Sequence, residues 1–201
     1  MKICNVLAAA LTCLGAACAS NPAPESATTT AAPVSPAPAA ALYSAAERAS
    51  LFGCSALSDS AMIVAEMKRK GTPIADAKAY FADRPNAQLT LATVDEVYDA
   101  HIDNVWDYAT RFFGDCAAQV SGVPRQRSGP ASFCMLDSLI ATTAQASHEA
   151  GVPIEKVEGY FAGFPGERPK AIIAGVYAQE QTRAAAHAQA WNTCMDSISG
   201  G

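Results

Sequence analysis

The chain says nearly the same thing twice. "GTPIADAKAYFA" at residues 71–82 returns as "GVPIEKVEGYFA" at residues 151–162, eighty positions later. With that offset Cys54 falls on Cys134, Ser58 on Ser138 and Ala61 on Ala141. Gly71, Pro73 and Ile74 fall on Gly151, Pro153 and Ile154, and Pro85 falls on Pro165. One deletion then shifts the frame, so that Val97-Tyr98 matches Val176-Tyr177 and Cys116 matches Cys194. Coincidence rarely supplies Cys, Gly, Pro and aromatic identities together. The reading is a tandem duplication, with repeat 1 over 43–120 and repeat 2 over 128–199.

Periodicity makes each copy helical. Ser44-Ala45-Ala46-Glu47 fits a capping box, in which Ser binds the third helical N–H and Glu reaches back. Apolar residues then recur at Leu51, Cys54, Leu57, Ala61 and Val64, which is helical spacing. Gly71 suits a left-handed helix end, and Pro73 suits the start of the next helix. A second, short helix runs to about Ala82, and Pro85 closes the loop after it. A third is expected from about Val94 to Ala117. In the second copy the three helices are expected over about Ala131–Ala150, Pro153–Ala162 and Lys170–Ser197. Alternating β-branched runs are missing, so the expected class is all-α: two three-helix units joined through residues 118–130.

Cysteine usage fits that plan. The chain has seven. Cys4, Cys13 and Cys18 lie in the leader described below, which leaves Cys54, Cys116, Cys134 and Cys194. Four cysteines allow three pairings. In a three-helix unit the last helix returns beside the first, so Cys54 is expected to pair with Cys116 and Cys134 with Cys194. Each bond would close its own copy, whose core alone is thin.

Residues 1–19 read as a secretory signal: one Lys, an apolar stretch from Ile3 to Ala17, then small residues. Two processing sites compete. Leu14-Gly15-Ala16-Ala17-Cys18 resembles the lipobox of bacterial lipoproteins, with Gly15 standing where Leu is usual. Ala17-Cys18-Ala19 also fits an A-x-A cleavage site. The lipoprotein resemblance implies lipidation of Cys18, a place in the cell envelope on the periplasmic side and, with no Asp after Cys18, outer-membrane retention. Residues 20–42, rich in Pro, Ala, Ser and Thr, read as an extended tether. No family is recognised for the rest of the chain.

Charge argues against one partner class. Fourteen Lys and Arg stand against nineteen Asp and Glu, a net of −5, whereas nucleic acid needs a concentrated basic surface. No metal, cofactor or catalytic signature is found. His101, His148 and His187 do not occupy equivalent positions in the two copies, and "SHEAG" lacks the second His of a zinc-protease helix. Asp95, Asp99, Asp103 and Asp107 recur every four residues, which on one helix makes an acidic stripe beside Trp106. Like charges at that spacing cost a helix stability. The stripe reads as a solvated face or one partnered by Arg and Lys from elsewhere in the fold, or else as a candidate surface for a basic protein partner; Ca²⁺ fits less well, since a straight helix cannot wrap carboxylates around one ion. The functional expectation is a non-enzymatic envelope binding module, of inhibitor or immunity type. The alternatives are a small periplasmic stress chaperone, or an enzyme whose site is not visible in sequence.

Overall fold

A computed structural model describes residues 41–84 and 87–199. The signal segment, Cys18, nearly all of the tether and Pro85 lie outside these residues. Eight helices and no strand are found among the described residues. No helix among them is long and apolar enough to cross a membrane.

The first helix, α1 (Ala45–Arg69), starts at the expected capping box: Glu47 N donates to Ser44 Oγ at 3.2 Å, and Ser44 N donates to Glu47 Oε2 at 2.8 Å. Its buried residues include Leu51, Cys54, Ser58, Ala61, Val64 and Ala65, one stripe at three- and four-residue steps. Gly71, at φ 78°, then turns the chain, and Thr72 N reaches back to Met67 O at 3.0 Å. Pro73 leads into α2 (Ile74–Phe81).

The sequence's third helix is two helices. α3 (Ala87–Asp99) stops, and α4 (Val105–Gln119) begins after a short break. Polar groups pay no penalty for the interruption because each end is capped. Lys68 Nζ donates to the carbonyls of Val97, Tyr98 and Ala100 at the end of α3. Asn104 Oδ1 accepts from Trp106 N at 2.8 Å and from Asp107 N at 3.2 Å at the start of α4. A mid-pattern Asn with a side chain able to cap can end a helical period that its apolar neighbours would continue.

The second half follows the same order. α5 (Arg125–Glu149) begins before the expected Ala131, directly after a tight turn at 120–124, and accommodates Pro130 in its second turn. Gly151, at φ 69°, and Val152 N to Ser147 O at 2.9 Å repeat the corner geometry. α6 (Ile154–Tyr160) follows. The expected third helix again divides, into α7 (Arg168–Tyr177) and α8 (Arg183–Ser199). Here Gln145 Nε2 donates to Gln181 O at 2.7 Å, and Thr182 Oγ1 accepts from Ala185 N at 3.2 Å. Each half thus has four helices rather than three. Tyr98 OH donates to Thr72 O at 2.6 Å, and Tyr177 OH donates to Val152 O at 2.7 Å, tying each broken return helix to the corner before it.

Disulfides join Cys54 to Cys116 and Cys134 to Cys194, with Cα–Cα distances of 5.6 and 5.2 Å. They link α1 to α4 and α5 to α8. Both lie in one central core with Leu51, Phe113, Met135, Leu139 and Trp191. Two outer clusters flank it, one around Phe81, Val94 and Val97 and one around Val157, Phe161 and Ile173.

The bonds close loops with sequence separations of 62 and 60 residues. Restricting the unfolded chain by loops of that length stabilises the fold by about 4 kcal/mol each. Replacing Cys54 and Cys116 together by Ala is expected to lower the urea-unfolding free energy by about that amount, with the second bond intact. A loss under ~1 kcal/mol would show that the bond does not constrain the unfolded chain.

Candidate functional site

The acidic residues do not form one helical stripe. Asp95 and Asp99 are on α3, Asp103 is in the break, and Asp107 is in the first turn of α4. Asp95 pairs with Lys78 at 2.6 Å, and Asp103 pairs with His101 at 2.9 Å. Asp107 lies where a carboxylate favours the helix dipole. Trp106 leaves the stripe altogether. It packs edge-on to Phe161 and Phe164, at 5.5 and 5.2 Å between ring centres, and so joins the first half to the second.

The three histidines separate by environment. His101 is exposed, and His148 stacks on Tyr177 at 4.5 Å. His187 is buried between α1 and α8, with Nε2 3.1 Å from Ser55 Oγ and its ring edge-on to Phe52 at 5.3 Å. Nearby, Asp59 Oδ1 accepts from Thr142 Oγ1 at 2.7 Å and from Arg183 Nη2 at 2.9 Å. Ser, His and Asp therefore meet, but not as a nucleophilic triad. Asp59 holds Thr142 and Arg183 rather than orienting His187, and Ser55 is fully buried. The cluster locks α1, α5 and α8 together. Sequence periodicity does not single out Ser55, Asp59, Thr142 or Arg183 as partners in this cluster. Their one-dimensional trace is a polar pair four residues apart at the edge of the apolar face of α1.

Asp59 is half-buried, whereas Asp137 is buried. Arg168 grips it with Nε and Nη2 across α5 and α7, the fork geometry that makes arginine–carboxylate bonds strong. Asp137 and Arg168 edge a cavity of about 280 Å³, lined mostly by apolar atoms of α5, α7 and α8. The exposed Tyr80 is covered by the Arg84 guanidinium 4.2 Å above its ring.

A groove of about 740 Å³ opens beside α1 and α5. Its walls are the C-terminal halves of α1 and α5, with Met62, Ile63 and Met67 facing Thr143 and Ala146. Trp106, Tyr160 and Phe161 extend the apolar wall. Arg69, Lys70 and Arg183 bring positive charge to the lining, against Glu66 alone. Glu66 is bound to Arg69 at 2.8 Å, and Arg183 is bound to Asp59. Arg183 Nε is sealed from water without an acceptor. Tyr160 is 58% exposed here and Phe161 only 3%, so the duplicated Tyr-Phe pair divides its work: Phe anchors the short helix and Tyr faces out. Among the described residues no group of three or more His, Cys, Asp or Glu is arranged to hold a metal ion.

Burial pushes the His187 pKa down; the Asp59 carboxylate and the Ser55 contact oppose this, and Arg183 adds to it. A base depressed in the folded state leaves the unfolded chain binding more protons as pH falls. His187 therefore contributes full stability above its ordinary value of 6.5 and loses it as pH drops toward its native value. Between pH 6.5 and 5 the wild type is expected to lose unfolding free energy with a slope of at most about 1.4 kcal/mol per pH unit from this group. His187→Gln should flatten the difference curve. Parallel wild-type and variant curves in chemical denaturation would remove His187 from the pH dependence.

No family model matches the chain, and no curated protein or solved structure matches it either.

Proposed function

We propose that this chain is a non-enzymatic binding module of the bacterial cell envelope, built by tandem duplication and engaging another envelope macromolecule through the groove between α1 and α5. The groove carries the reading. It is open, long and lined by flexible Met and rigid aromatic side chains, the mixture that accommodates a partner's apolar surface. The rest of the chemistry is committed to the fold: Ser55 and His187 are buried, Asp59 is held by Thr142 and Arg183, and Asp137 is held by Arg168.

Duplication draws support from more than the repeated phrase. The two Gly-x-Pro corners share φ near 70–80° and the same back-bonding, and both Tyr98 and Tyr177 close onto them. Residues 61–70 and 141–150 pass through buried, half-buried and exposed positions in identical order. Envelope placement draws support from the signal-like residues 1–19 and the lipobox-like sequence ending at Cys18. A tether over 20–42 would hold the helical body clear of a membrane surface. The stress-chaperone reading draws on the same apolar wall and differs in expecting many unfolded clients there instead of one partner.

A photo-crosslinking residue placed at Ile63, on the groove wall, is expected to capture one discrete envelope partner in cells. The same group at the exposed Ala56, outside the groove, should capture none. Ala146→Trp, which fills the groove, should abolish the Ile63 product. Equal capture from Ile63 and Ala56, or none from either, would remove the groove as the recognition surface; a smear of many products would favour the chaperone.

A further inference from the structure

The charges around the groove specify what enters it. The protein as a whole is acidic, with a net charge of −5, yet the groove lining carries three cationic side chains and one carboxylate. Glu66 and Arg69 neutralise each other, which leaves Lys70 and the Asp59-bound Arg183 as the cations an occupant meets. Lys70 stands exposed at one end. Toward the other end Arg183 meets Asp59, eleven residues before Lys70 on α1. That separation is about 16 Å of helix, or three turns.

Arg183 is incompletely satisfied. Its guanidinium has five donors in a fixed fork. Among the described residues its one hydrogen-bond acceptor is Asp59 Oδ1, through Nη2. Nε is sealed from water and so lies beyond an occupant's reach, while 27% of the side chain remains open to solvent. A second carboxylate on the open edge of that guanidinium would engage donors that Asp59 leaves. The lining shared with Arg183 and Lys70 is apolar at Met62, Met67, Trp106 and Phe161, with Thr143 and Ser147 as neutral polar members.

Resting on the proposed binding function, we infer that the groove takes an acidic amphipathic helix of the partner protein, about three turns long. Its apolar side lies on the methionines and aromatics, one carboxylate meets Arg183, and another meets Lys70. An amphipathic helix laid in an apolar groove is a common mode of peptide recognition. Opposite charge at the two ends fixes its register and rejects basic competitors.

Three designed 14-residue helical peptides test this against the oxidised protein, by anisotropy of a peptide label at low salt. They share one apolar face of Leu and Met and differ only in bearing Glu, Gln or Lys at the two end positions. The Glu peptide is expected to bind at least tenfold more tightly than the Lys peptide, with Gln between them. Lys70→Glu, at an exposed site, should weaken the Glu peptide severalfold and leave the Gln peptide unchanged. Arg183→Gln should erase most of the Glu preference, with circular dichroism confirming the fold. The inference is overturned if the Lys peptide binds as well as the Glu peptide, if Lys70→Glu has no effect, or if none of the three binds. Site-specific capture from Ile63 would survive each of those results, because it reports use of the groove irrespective of the occupant's charge.

Discussion

The central core, clamped by two disulfides, is what the rest of the structure depends on. Cys54–Cys116 and Cys134–Cys194 sit in one cluster with Leu51, Phe113, Met135, Leu139 and Trp191, so the two halves share their innermost layer. A four-helix half of this size would bury too little apolar surface to be comfortable alone. Sharing a core removes that difficulty. The bonds then limit the unfolded chain while the aromatic residues fill the space between α1, α4, α5 and α8.

The clamp grips the long helices at Cys54 and Cys134, and beyond it each helix packs into its own outer cluster. There α1 and α5 each turn into a short helix through a Gly-x-Pro corner, and their facing sides leave a groove in place of a filled core. Trp106 spans the halves by packing on Phe161 and Phe164, and the Asp59, Thr142 and Arg183 cluster ties them nearer the core. The groove is therefore bounded by contacts between halves that differ in sequence at equivalent places. The two halves resemble one another in corner geometry yet differ in the residues that bridge them, so the groove between them is asymmetric.

The breaks in the return helices show how a few polar atoms redirect a long apolar pattern. Val94, Tyr98, Val105, Phe112 and Cys116 keep a helical rhythm across residues 100–104, and that rhythm predicts one continuous helix. Asn104 and Lys68 cap the two ends instead, and the chain gains a bend. The bend moves Asp103 off any helix and points Trp106 toward the second half. An acidic stripe drawn on an unbroken helix dissolves once the bend is present.

Local chemistry by itself settled the helical class, the Ser44 capping box, both glycine corners and the cysteine partners. Each of these follows from interactions within a few residues, or from the simple rule that a returning helix lies beside the one it left. The groove, the buried Ser55–His187 contact, the Asp137–Arg168 grip and the Arg183–Asp59 pair belong to the tertiary structure alone. They join residues 31 to 132 positions apart, and nothing in either partner's neighbourhood names the other. Helical periodicity tells which face is buried but is silent on which helix covers it, because apolar burial has no direction. Packing made that choice, and with it the site.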